Sequence, residues 1–179
     1  LGSAIPSSSF LINRVLRRVD WESARVIVEF GPGTGCFTRE ILKRLRPDGI
    51  LLAIEMNPAF VGHLRSNVCD SRFRVFEGSA ADVTWYMDYT DVGGADYVIS
   101  GIPFSTIPSE TRDAILRSTL SVLNRGGEML VYQFSRAVLP HLRNVFPVVQ
   151  TDFELLNILP ARIFYCSRQG SPGTLETSH

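Results

Sequence analysis

Val26-Ile27-Val28-Glu29-Phe30-Gly31-Pro32-Gly33-Thr34-Gly35-Cys36-Phe37-Thr38 is the stretch whose reading decides the fold. An apolar, β-branched run ends in an acid, passes three alternating glycines and enters a helical pattern. That is the order in which a parallel strand delivers a ligand loop to a helix start. Glycine takes backbone angles closed to other residues and lets a ligand come close, while the helix start offers free N–H groups. The dinucleotide fingerprint G-x-G-x-x-G requires a third glycine at position 36, where this chain has Cys36, and Gly35 stands one place early. The spacing argues against NAD.

Downstream, residues 50–54 form a continuous apolar run, as in a doubly covered parallel strand, and end in Glu55. An acid at that strand tip is placed to accept both hydroxyls of a ribose. Asn57 and Pro58 open a helix running toward Asn67. Residues 72–77 alternate polar and apolar, as a strand nearer the sheet edge does, and lead to Gly78-Ser79-Ala80, where Ser79 and the Ala80 N–H are placed to read a base edge. Residues 95–100 read as a fourth strand. Gly101-Ile102-Pro103-Phe104 follows at its carboxyl end, where open α/β sheets bind ligands, and Phe104 is expected to press on the acceptor group.

Further on, the spacing predicts a helix over 109–124 with Ser109 as cap and Gly126-Gly127 at its end. A strand over 128–134, a helix over 135–146 and a closing antiparallel hairpin of 148–156 with 163–166 follow. At the other end, Ser7 to Ser9 can cap a helix beginning near Phe10, with Leu11, Ile12, Val15, Leu16 and Val19 on one face and Arg14, Arg17 and Arg18 on the other. A helix docked on the sheet is favoured over a surface for phospholipid headgroups.

At 179 residues with 45% hydrophobic content, one domain over 1–179 is expected, with a basic amphipathic helix and cap in 1–24 and a polar tail in 167–179. The 18 basic and 18 acidic residues cancel, so the chain lacks the positive excess of a nucleic-acid binder. Lys43 is the single lysine, a bias that coding composition explains better than phosphate recognition by arginine. Cys36, Cys69 and Cys166 fit neither a disulfide framework nor a zinc site, and suit a reducing cytoplasm. His63 has no second histidine at ligand spacing, and no metal is expected. No apolar run approaches spanning length and no signal pattern is present, so any membrane contact is expected to be peripheral, at the inner face. Because the chain opens on Leu1, native residues are expected before it.

The ordered set Pro6-Ser7-Ser8, Glu29 to Gly35, Glu55-Met56-Asn57-Pro58, Ser100 to Pro103, Gln133-Phe134 and Asn157-Ile158-Leu159-Pro160-Ala161 resembles the class I S-adenosylmethionine methyltransferases. More narrowly it resembles bacterial phospholipid N-methyltransferases, relatives of the rRNA adenine dimethylases. The resemblance implies a Rossmann-like α/β fold, with a seven-stranded, mostly parallel sheet, its last strand antiparallel and helices on both faces. It also implies S-adenosylmethionine as cofactor. Gly31, Gly33 and Gly35 would surround the methionine portion, Glu55 would hold the ribose, and Met56 and Ala80 would flank the adenine. Ser8, Glu29, Thr34, Ser79 and Ser100 complete the implied cofactor contacts, and Ser100, Gly101, Pro103 and Phe104 would position the acceptor.

Two departures bear on substrate. Ser79 stands where relatives have an acid, and Ser100-Gly-Ile-Pro-Phe104 stands where adenine dimethylases have Asn-Leu-Pro-Tyr, losing the amide that holds the target amine. N-methylation of phosphatidylethanolamine or a related aminolipid, at an anionic membrane surface, therefore leads. An RNA adenine methyltransferase and a catalytically silent binding module stay as alternatives. Glu29, Asp82 and Tyr132 are candidates for the proton acceptor by predicted position; the headgroup, the number of methyls and the oligomeric state stay open.

Overall fold

The β-branched run is β1 (Val26–Phe30), and in the computed structural model it lies inside a seven-stranded sheet. The structure describes residues 8–155 and 160–169; Pro6-Ser7, the Asn157-Ile158-Leu159 link and the tail from residue 170 fall outside them. On one side of β1 lie β2 (Ile50–Glu55) and the edge strand β3 (Phe73–Glu77). On the other lie β4 (Ala95–Ser100), β5 (Leu123–Gln133), β7 (Ala161–Ser167) and β6 (Val148–Glu154), giving the order β3-β2-β1-β4-β5-β7-β6. The first five strands pair in parallel, and β7 runs antiparallel to both its neighbours. Strand order reverses between β1 and β4, so the ligand crevice of this fold opens at their carboxyl ends.

Alternate strand residues feed two cores. Ile27, Leu51 and Ile99 pack under α1 (Ser9–Leu16), α2 (Cys36–Arg44) and α3 (Pro58–Asn67). Val28, Leu52 and Val98 pack under α4 (Val83–Tyr89), α5 (Ser109–Val122) and α6 (Leu139–Val145). The N-terminal helix is capped by Ser8, whose Oγ accepts from Leu11 N–H at 3.2 Å, and Asn57 caps α3 by accepting from Ala59 N–H at 3.0 Å.

Several elements depart from expectation. Ser109 is the first residue of α5 and Pro108 precedes it without a side-chain cap. The fifth strand starts at Leu123, so Gly126 and Gly127 lie within it: a Cβ at Gly127 would come within 2.8 Å of the Ala95 carbonyl, and glycine here serves close strand approach rather than helix termination. Of the helix expected over 135–146 only α6 forms, because Ser135 turns the chain by accepting from Ala137 N–H at 3.1 Å. The short α4 was not read from the sequence at all, although Val83, Tyr86 and Met87 carry its buried face.

The arginines of α1 correct another expectation. Arg14 donates Nε and Nη2 to the two oxygens of Asp152 at 2.9 and 2.8 Å, and Arg18 grips Glu128 in the same fork at 2.7 Å on each side. Arg18 also lies over the Tyr165 ring, 4.9 Å from its centroid. The helix therefore buries its apolar face on the sheet and is pinned to the last strands by two arginines of its basic side, and of the three arginines only Arg17 is exposed. Arg14 and Arg18 are not available to lipid headgroups. Replacing Arg18 by Leu leaves the buried Glu128 carboxylate without its fork. Urea denaturation should show a loss of about 1–3 kcal/mol, below the figure for a fully sealed pair because Arg18 is partly in solvent. Arg17→Leu should change stability by less than about 0.5 kcal/mol.

Candidate active site

Three backbone hydrogen bonds bring the strand ends to one level. Gly31 N–H donates to Ile54 O at 2.9 Å, Gly78 N–H to Glu55 O at 2.9 Å, and Gly101 N–H to Phe30 O at 3.3 Å. The glycine loop then turns through left-handed angles, with φ of +68° at Gly31, +55° at Gly33 and +82° at Gly35. A Cβ at Gly31 would lie 3.5 Å from Ile102 Cγ1, so the glycine loop and the loop after β4 touch. Thr34 sits exposed at the loop's tip, its carbonyl accepting from Arg39 Nη1 at 2.9 Å.

Glu55 ties this loop to the next strand. Its Oε2 accepts from Gly33 N–H at 3.1 Å and its Oε1 from Asn57 N–H at 2.9 Å. Each carboxylate oxygen keeps a second lone pair, so a vicinal diol can still donate to both. Beside it Met56 is 73% exposed, an apolar ledge at the end of β2. Ser79 caps a 3₁₀ turn, Ala80–Asp82, by accepting from Ala81 N–H at 3.2 Å, and Ala80 is buried beneath it. A curled glycine backbone, an acid with lone pairs left for a diol and an apolar ledge fit a nucleoside-bearing ligand. The placement of Ser8 is different: its hydroxyl caps α1.

Glu29 is sealed behind the glycine loop at 2% exposure, and Thr38 Oγ1 donates to its Oε2 at 2.7 Å. Burial pushes the Glu29 carboxyl up to about 7; the Thr38 hydrogen bond opposes that shift and the nearby Glu55 charge adds to it. Nothing in the sequence alone signalled Thr38 as its partner.

On the acceptor side two expectations are revised. Phe104 is wholly buried in the core shared with Leu116 and Val131, so its ring carries packing and presents no face to an acceptor. Ser100 is also buried, and its Oγ accepts from Ile102 N–H at 3.4 Å, which makes it a loop-shaping hydroxyl. Pro103 is exposed. Gln133 Nε2 donates to Ile102 O and holds the loop from β5. The missing side chain of Gly101 makes room for the Tyr132 hydroxyl, which a Cβ there would strike, and the Tyr132 ring stacks on Phe37 at 4.5 Å between centroids. Of the three candidate proton acceptors, Glu29 is thus sealed, Asp82 is exposed on the 3₁₀ turn after β3, and Tyr132 alone abuts the β4 loop. Arg112, in the first turn of α5, has a buried Nε without a hydrogen-bond partner among the described residues. No group of histidine, cysteine or acidic residues suited to a metal occurs among them either.

The methyltransferase domain family matches residues 27–127. Over 168 residues the chain is 32% identical to an ornithine lipid N-methyltransferase of Singulisphaera acidiphila, covering 93% of this chain and 88% of that protein. It is 27% identical over 137 residues to ribosomal RNA small subunit methyltransferase A of Mycoplasmopsis synoviae, covering 74% of this chain but 47% of that protein. Human methyltransferase-like protein 13, solved in complex with SAH, shares the fold at a TM-score of 0.69 and 15% identity, over 94% of this chain and 83% of that one.

The Glu29 environment has a measurable consequence. Its folded pKa of about 7 exceeds the ordinary 4.5. As pH rises through that window the unfolded chain gives up the proton first, so stability falls, by about 3 kcal/mol in all. Glu29→Gln lacks this titration. In urea denaturation the variant should gain on the natural protein by about 2–3 kcal/mol between pH 5 and pH 8; a constant difference would return Glu29 to an ordinary carboxylate.

Proposed function

The chain belongs to the class I S-adenosylmethionine-dependent methyltransferases, and on that premise we propose that it N-methylates the primary amine of a zwitterionic aminolipid, phosphatidylethanolamine or a relative such as an ornithine lipid. The observation that carries this reading is the near end-to-end similarity to the Singulisphaera lipid enzyme. The ribosomal RNA relative is matched over less than half its length, and Ser100-Gly-Ile-Pro-Phe104 lacks the amide expected for an adenine amine.

S-adenosylmethionine supplies a methyl group on a sulfonium, open to in-line attack. In this reading the glycine loop lines the methionine portion, Glu55 accepts the ribose hydroxyls, and Met56 with Ser79 and Ala80 borders the adenine. A lipid amine resembles lysine, with a pKa of about 10.4, so offering its lone pair near neutral pH costs roughly 4–5 kcal/mol. That proton passes to solvent before the attack; Tyr132, whose hydroxyl abuts Gly101, then orients the neutral amine by a hydrogen bond while the Gly101-Ile102-Pro103 backbone sets the direction of approach.

Among the described residues no helix is long and apolar enough to cross a membrane. Exposed Met56, Phe134 and Leu155 immediately follow the carboxyl ends of β2, β5 and β6, three strands that point the same way. Apolar side chains exposed along the carboxyl edge of the sheet suit an enzyme that takes its acceptor from a bilayer surface.

Glu55→Ala should weaken S-adenosylmethionine binding by roughly 1.5–3 kcal/mol, the range for hydrogen bonds to a charged group, as read by titration calorimetry. Unchanged affinity would move the ribose elsewhere. Methyl incorporation from labelled cofactor should appear in aminolipid vesicles and not in unmethylated ribosomal RNA assayed beside them; labelling of RNA alone would transfer the reading to an adenine acceptor.

A further inference from the structure

A groove of about 520 Å³ opens between α6 and the outer strands β6 and β7, with Leu139, Phe153 and Phe164 as its apolar lining and Arg136, Arg143 and Arg162 at its walls. Arg162 lies over the Phe153 ring, 5.0 Å from its centroid, which holds the guanidinium in place. None of the three arginines has a carboxylate partner among the described residues. The one acid on the lining is Asp152, and its oxygens already accept from both Arg14 nitrogens and from the Tyr165 hydroxyl. In a chain of zero formal net charge, the groove is a local positive excess beside an apolar surface.

Its position ties it to the crevice. Arg162 stands opposite Gln133 in the β5–β7 register, and Gln133 holds the Ile102 carbonyl of the acceptor loop. The groove therefore begins one strand away from the loop that receives the amine. Guanidinium forks suit oxyanions, and the apolar lining suits the chain that carries one.

We propose that Arg136, Arg143 and Arg162 form a subsite for the anionic group of the acceptor, the phosphodiester or carboxylate that a zwitterionic aminolipid bears a few bonds from its amine. The subsite rests on the aminolipid reading. It binds the anion while the amine reaches toward Gly101 and Tyr132, so that charge separation within one headgroup selects the substrate.

The test uses the full chain with Arg143→Gln and Arg162→Gln, singly and together, and Arg162→Lys as the conservative variant. Binding of dihexanoylphosphatidylethanolamine should weaken about tenfold in each glutamine variant and recover in part with lysine, while S-adenosylmethionine affinity stays unchanged and certifies the fold. In vesicle assays the KM for lipid should rise by a similar factor with kcat within twofold. Dodecylamine, which has the amine and no anion, should be used equally by all forms. Equal lipid binding in natural and variant proteins, or equal losses with dodecylamine, would overturn the subsite while leaving aminolipid methylation standing. Lipid binding that depends on the arginines without methyl transfer would keep the subsite and remove the aminolipid reaction. Inorganic phosphate binding as tightly as the lipid, or arginine-dependent binding of ribosomal RNA without lipid, would also overturn the assignment.

Discussion

Two backbone donors, Gly33 N–H and Asn57 N–H, end on the two oxygens of Glu55, and the geometry of the crevice follows from that carboxylate. It joins the loop after β1 to the helix start after β2. Hydrogen bonds to a charged group contribute roughly 1.5–3 kcal/mol each, enough to hold three left-handed glycines against the entropy of an open loop. Because Gly31 in turn touches Ile102, a shift of Glu55 would reach the acceptor loop through one intermediate contact. A single side chain is thus the brace that sets the spacing between both halves of the site, and in the proposed reading the same carboxylate accepts the ribose.

Charge elsewhere is distributed by the same economy of partners. The amphipathic first helix looks basic in sequence, yet Arg14 and Arg18 close bidentate forks with acids on β6 and β5. The Arg14 guanidinium holds the Asp152 carboxyl below the usual carboxylate range. Asp152 also borders the outer groove, on which Arg136, Arg143 and Arg162 have no carboxylate partner among the described residues. Its neighbour Phe153 stands opposite Arg162 in the register, on the other face from the helix.

The parts of the site built from backbone were legible in the sequence. Glycine spacing, the acid at the tip of β2 and the Asn57-Pro58 helix start each encode local geometry, and each falls where it was expected. Parts that depend on which way a side chain turns were not. Ser100 ends β4 and Phe104 follows it, as ligand-facing residues would, but the loop folds the ring into the core and spends the hydroxyl on Ile102 N–H. Tyr132 shows the converse: its value comes from Gly101, thirty-one positions earlier, having no Cβ to exclude its hydroxyl. Strand length misled at Gly126-Gly127 because close approach and helix termination call for the same residue.

Glu29 shows why the acid that precedes the glycine loop differs in role from the acid that follows β2. Both lie on the α2 side of the sheet, but Glu55 accepts two backbone donors at the crevice, whereas Glu29 is sealed and met by Thr38, through its hydroxyl and its backbone N–H. Desolvation dominates for Glu29, so near neutral pH its carboxyl is shared between charged and uncharged forms. A ligand that brings positive charge to the glycine loop draws this equilibrium toward the carboxylate, and a neutral ligand leaves the proton in place. For Glu29 burial decides the charge, whereas for Glu55 two backbone donors decide the position of the carboxylate in the crevice.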